Sequence, residues 1–101
     1  MSLSTHVLDT VAGGPAAGVA LELRTGDGEV VAVAATDDDG RHSFGEVAAG
    51  EYELVFAIGD HFGSREFLDR IPVRFRIVDA VSKYHVPLLV SPWAYSTYKG
   101  S

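Results

Sequence analysis

Four histidines, His6, His42, His61 and His85, are the residues of this 101-residue chain best suited to moving protons near neutrality. His6 and His85 sit between apolar neighbours in segments that read as strands, an unusual setting for a titrating side chain. Residue type alone leaves two readings for each: a general base or acid, or a satisfied interior or interface histidine. Their spacing gives no support for a zinc site. Arg41 follows Asp37-Asp38-Asp39-Gly40. It reads either as a surface cation paired with that acidic turn or as a clamp on a carbonyl or oxyanion. Tyr98, Lys99, Gly100 and Ser101 end an aromatic run that begins at Trp93, so the tail is expected to be held rather than frayed. The Gly-x-Ser-x-Gly elbow, the P-loop and the His-Glu-x-x-His pair are missing, and with no cysteine there is no thiolate chemistry.

The elements that must position these groups are strands. Tyr52, Leu54, Phe56 and Ile58 alternate with Glu53, Val55 and Ala57, and Ile71, Val73, Phe75 and Ile77 alternate with Pro72, Arg74 and Arg76. Val19, Leu21 and Leu23 give a third strand and residues 29–36 a fourth. Further strands are expected over 5–9, 41–45, 83–91 and 95–99. Gly13-Gly14-Pro15, Thr25-Gly26-Asp27-Gly28, Asp38-Asp39-Gly40 and Ala49-Gly50 supply the turns. Residues 60–68 lack alternation and permit a helical turn or two. Seven or eight short strands at this spacing predict one all-β domain, an antiparallel β-sandwich with one short helix, over 1–101. Pro72 marks an edge strand or a strand start. In this reading His42 faces away from Arg41, and His61 belongs to the helical segment and reads as surface.

Composition limits the partners. Fourteen acidic residues against eight Lys and Arg give a formal net charge of −6, which argues against a nucleic-acid backbone as partner. The longest apolar run, 30–35, is far short of the roughly 20 residues of a membrane helix, and the first residues carry no secretory pattern. A cytoplasmic location is expected. Val86-Pro87-Leu88-Leu89-Val90 is apolar on both faces, so its outer face calls for cover by another subunit.

His6-Val7-Leu8-Asp9-Thr10, Asp39-Gly40-Arg41, the block from Tyr84-His85-Val86-Pro87-Leu88-Leu89-Val90 to Ser91-Pro92, and the terminal Tyr95-Ser96-Thr97-Tyr98-Lys99-Gly100-Ser101 together resemble the 5-hydroxyisourate hydrolase family of transthyretin-related proteins. The resemblance runs in order along essentially the whole chain, and its C-terminal block is the most specific part. It implies a prealbumin-like (transthyretin-like) eight-stranded sandwich that forms a homotetramer with active sites at the dimer–dimer interface. It implies hydrolysis of the small molecule 5-hydroxyisourate to 2-oxo-4-hydroxy-4-carboxy-5-ureidoimidazoline, without cofactor or metal. By position it makes His6, Arg41 and His85 catalytic, and Tyr98, Lys99, Gly100 and Ser101 substrate-binding.

Two departures stand out. Lys99 replaces the arginine usual in the family's terminal motif, which loses a planar two-pronged donor. Trp93-Ala94 stands where Phe-Gly is common. The rival reading is a non-catalytic transthyretin-type carrier or adhesion module. A carrier would be expected to replace the histidines and the terminal motif by smaller or apolar residues, and this chain keeps them.

Overall fold

The computed structural model describes residues 2–100. Among these residues alternation of apolar and polar side chains resolves into β1 (Leu3–Asp9), β2 (Gly14–Pro15), β3 (Ala20–Thr25), β4 (Val30–Ala35), β5 (Arg41–Gly45), β6 (Gly50–Ala57), α1 (Ile58–Phe62), β7 (Arg70–Ile77), β8 (Tyr84–Val90) and β9 (Tyr95–Thr97). The count passes the expected eight only through the two-residue β2. One sheet runs β4-β3-β6-β7 and is antiparallel throughout. The other runs β2-β1-β8-β9, with β5 also pairing β1. β8 takes one edge of β1, so β5 and β2 share the other edge, β5 along residues 3–6 and β2 along 8–9.

The pairing of β1 with β8 is parallel, a departure from the antiparallel expectation. A parallel pair needs a long crossover. Here the rest of the sandwich supplies it, bringing the two ends of the chain side by side.

The core lies between the sheets. Leu3 and Val7 of β1 and Val86, Leu88 and Val90 of β8 meet Leu21, Leu23, Leu54, Phe56, Ile71 and Ile77 of the other sheet. Buried polar groups are satisfied: the Thr5 hydroxyl donates to the Val86 carbonyl at 2.7 Å, and the Thr36 hydroxyl donates to Ala16 and accepts from the Val19 N–H. β7 pairs only with β6, so Pro72 sits near the start of an edge strand as expected, where a missing donor costs no ladder bond. The helix starts earlier than the alternation suggests, because buried Ile58 ends the β6 pattern and opens α1. Gly63, at φ 67°, closes it with an N–H to the Gly59 carbonyl. No helix among the described residues is long and apolar enough to cross a membrane.

The outer faces of the two sheets differ. On the antiparallel sheet, cross-strand neighbours Glu51 and Arg76 pair at 2.9 Å and Glu53 and Arg74 at 3.5 Å, an ordinary solvated face. The face built on β1, β5 and β8 carries a different set.

Candidate active site

Strand alternation sets which side chains leave the core. In β1, Leu3, Thr5, Val7 and Asp9 are buried and Ser4, His6 and Leu8 point outward. In β8, His85 and Leu89 point outward while Pro87, on the same side of the strand, is buried, and in β5 the outward set includes Arg41 and Ser43. Register places these in rows. His6 lies opposite Arg41 on one side and Pro87 on the other, and Ser4 lies opposite Ser43 and His85. His6 and Arg41 are thus on adjacent strands, and His85 is a diagonal neighbour of His6 at about 7–8 Å. The three residues singled out from the two ends and the middle of the sequence share one sheet face.

Arg41 is aimed by its turn. The Asp37 carboxylate accepts the N–H groups of Asp39 and Arg41, each at 2.9 Å, and the main chains of Asp37 and Arg41 pair at 2.9 Å. The Arg41 N–H above all holds the Asp37 carboxyl below its ordinary value. Gly40, at φ 74°, comes so close to β1 that a Cβ there would sit 2.5 Å from the Val7 carbonyl oxygen. Among the described residues the Arg41 guanidinium has no hydrogen bond or ion pair, so the acidic turn grips its backbone and leaves its charge free for the outer face.

His85 is held at two points. Its Nδ1 lies 2.8 Å from the Ser4 hydroxyl, and its carbonyl accepts the Gly100 N–H at 2.7 Å. The Gly100 backbone packs on the ring so closely that a Cβ would lie 2.6 Å from Cδ2, which explains the glycine without any unusual φ. Burial lowers the His85 pKa from 6.5, the nearby charges of Arg41, His6 and Lys83 lower it further, and hydrogen bonding to Ser4 opposes them in part. The ring is therefore neutral at pH 7.

The tail is placed less uniformly. The antiparallel register of β9 on β8, continued to the Gly100–His85 bridge, sets exposed Tyr98 beside Pro87. Lys99 leaves the opposite side of the strand, and its Nζ lies 5.1 Å from the centre of the Tyr84 ring. It does not join His6, Arg41 and His85. Ser101 lies outside the described residues.

His42 packs edge-on against Phe44 at 4.6 Å, on the face away from Arg41 as expected. His61 corrects its surface reading: it is half-buried, with Nε2 3.0 Å from an Asp9 carboxylate oxygen. Burial pushes the Asp9 carboxyl up, but hydrogen bonds from Ala12, His61 and Val11 outweigh it, and the net pKa is lowered. This pair ties α1 to the end of β1. Sequence reasoning also missed Ser4. Its place two residues before His6 puts it on the same strand face, but its pairing with His85 depends on a parallel register no local pattern reveals.

A cavity of about 360 Å³ lies against Glu22, Val55, Arg65 and Arg70, and one of about 210 Å³ against Phe75, Tyr84 and Lys99. Neither includes His6, Arg41 or His85, which lie on open sheet surface. Among the described residues no three His, Asp or Glu side chains gather as a metal site.

The fold and this face define a class: a small β-sandwich with two histidines and an arginine arrayed on the outer face of one sheet, the arginine unpaired among the described residues. Residues 3–100 match the sequence model of the HIUase/Transthyretin family, and the chain belongs to that family. It is 47% identical to the 5-hydroxyisourate hydrolase of Mesorhizobium japonicum, over 98% of this chain and 91% of the relative. Its fold is similar to the Klebsiella pneumoniae 5-hydroxyisourate hydrolase, with TM-score 0.89 and 36% identity over 99% of this chain and 98% of that one. It is also similar to sea bream transthyretin, solved in complex with thyroxine, with TM-score 0.83 and 30% identity over 97% and 93% of the two chains.

Proposed function

We propose that this protein hydrolyses 5-hydroxyisourate to 2-oxo-4-hydroxy-4-carboxy-5-ureidoimidazoline in purine degradation, with His6, Arg41 and His85 as the catalytic residues. The observation that carries this reading is the Arg41 guanidinium, unpaired among the described residues, on the same face as a neutral, doubly held His85. Opening a cyclic C–N bond with water calls for a base, a holder of developing negative charge and a proton donor. His85, neutral at pH 7, takes the proton from water. Arg41 faces the carbonyl oxygen as charge builds, a contribution on the order of 3–4 kcal/mol where such donors have been removed elsewhere. His6, between Arg41 and Pro87, orients the substrate and passes a proton to the leaving nitrogen. Tyr98 and the terminal residues 99–101 bound the site. Gly100 serves by its backbone on His85, and Lys99, turned toward Tyr84, serves by its field.

The reading includes a cytoplasmic homotetramer with sites at the dimer–dimer interface and no nucleic-acid or membrane partner. Its support is that the catalytic face is unroofed in one chain, while half-buried Leu8 and Leu89 flank it. The substrate is an unstable product of urate oxidation, so the enzyme must share a compartment with that reaction. The fold alone, shared with sea bream transthyretin, does not separate enzyme from carrier. The separating measurement is the ultraviolet absorbance decay of 5-hydroxyisourate freshly made from urate by urate oxidase. Decay should accelerate with this protein, and His85→Ala should lose at least about a hundredfold. Decay at the spontaneous rate from a folded tetramer would give the site to a carrier.

A further inference from the structure

The imidazole of His85 meets the protein at Nδ1 and along its Cδ2 edge, and Nε2 has no hydrogen-bond partner among the described residues. The Nδ1 partner is Ser4, the residue directly opposite on β1, half-buried and 2.8 Å away. A serine hydroxyl can donate or accept, and the two choices give His85 opposite roles. If Ser4 donates, Nε2 carries the hydrogen and faces the substrate as an acid. If Ser4 accepts, Nδ1 carries it and Nε2 presents a lone pair. Hydrolysis calls for a base facing water, and the hydroxyl serves that need as the acceptor of an Nδ1–H, 2.8 Å away. The charged and titratable groups around the ring, Arg41 on β5, His6 on β1 and Lys83 just before β8, keep it singly protonated, so its tautomer decides what it can do.

We propose that Ser4 is a positioning residue of the hydrolysis: its Oγ accepts the Nδ1–H of His85 and so fixes the tautomer whose Nε2 takes a proton from water. This deepens the hydrolase reading and rests on it. In the step, a water O–H bond breaks and its proton goes to Nε2. The freed oxygen lone pair forms the C–O bond at the substrate carbonyl. When the tetrahedral species collapses, the C–N electron pair leaves with nitrogen, which receives the water proton from the His85 imidazolium by way of His6, so both rings end as they began. Throughout, Nδ1–H stays on the ring, and Ser4 stabilises the imidazolium that forms.

Threonine and valine have nearly the same shape, both suit a strand, and only threonine keeps the hydroxyl. Ser4→Thr and Ser4→Val, with circular dichroism to confirm folding, therefore isolate the hydrogen bond. Two readouts are taken. Imidazole ¹⁵N shifts of His85, assigned with His85→Gln, should show a protonated Nδ1 and a bare Nε2 in the wild type and in Ser4→Thr, and mixed tautomers in Ser4→Val. For 5-hydroxyisourate, Ser4→Val should lose about tenfold in kcat with KM little changed, and Ser4→Thr should stay near wild type. A bare Nδ1 in the wild type, or a Ser4→Val enzyme with unchanged kcat and tautomer, overturns the assignment. A wild type that does not hasten decay sinks the hydrolase reading instead, and the ¹⁵N shifts still decide whether Ser4 sets the tautomer.

Discussion

In the proposed mechanism His85 is the base, and its surroundings make a testable statement about pH. Burial and the charges of Arg41, His6 and Lys83 all disfavour the imidazolium, so the folded value lies below the ordinary 6.5. Between the two values the unfolded chain binds more protons than the folded one. In that window stability therefore rises with pH, and above 6.5 the effect is flat. For activity the same shift keeps the base available: the acid limb of kcat/KM should be centred below 6.5. Lys83→Gln removes one of the opposing charges outside the proposed site, so it should keep the plateau and move the acid limb up toward 6.5. A pH–rate profile of both proteins checks this, and a wild-type limb centred at or above 6.5 would remove His85 as the group being titrated. Asp9 behaves with the opposite sign. Its lowered pKa contributes stability above 3.8 that is lost as pH falls through the folded value, and the loss loosens the His61 link between α1 and β1.

At the scale of elements, the turn before β5 decides whether Arg41 reaches the site at all. Gly40 combines a left-handed φ of 74° with an approach that leaves no room for a Cβ beside the Val7 carbonyl and the Ala16 N–H. Its carbonyl also accepts the Val7 N–H at 2.7 Å. Gly40→Ala should cost about 2 kcal/mol or more through strain and clash together, and should pull β5 from β1. The expected result is a lowered melting temperature and a loss of activity that purified, folded protein does not recover. A variant as stable and active as the wild type would show that the turn can move without moving Arg41. The turn itself was legible, because Asp-Asp-Gly between two alternating runs admits little else. So were the strands, the edge position of Pro72 and the opposite facing of His42 and Arg41, all of which follow from local alternation. What local pattern does not carry is which strand lies beside which. The parallel pairing of β1 with β8, the Ser4–His85 contact and the Asp9–His61 pair each join residues more than half the chain apart. The likeness of the terminal motif to a family picked out the tail residues together, yet alternation along the strand splits them: Tyr98 belongs beside Pro87, and Lys99 lies over Tyr84.

For the whole molecule, the contrast between the two outer faces argues what the chain must do with each. The face of β3, β6 and β7 is laced with ion pairs such as Glu51–Arg76 and Glu22–Arg70, and water suits it. The face of β1, β5, β8 and β9 sets Leu8 against Leu89 beside the Arg41 guanidinium and a neutral imidazole. On an open sheet, water would screen Arg41 and solvate the substrate's developing charge, and much of the electrostatic advantage of fixed donors would be lost. A second copy laid over this face would exclude that water and cover the apolar row. Leu89→Asp tests the step directly, because the side chain points away from the core and is already half exposed in the single chain. The carboxylate should leave the sandwich folded, with a melting temperature near that of its dissociated parent, and should repel the facing copy. Sedimentation should show the wild type at the mass of four chains and the variant at a lower mass, with kcat/KM reduced at least about a hundredfold although Ser4, His6, Arg41 and His85 are all retained. A variant that dissociates and keeps its activity would show that one open face suffices, and the oligomer would then serve stability rather than catalysis.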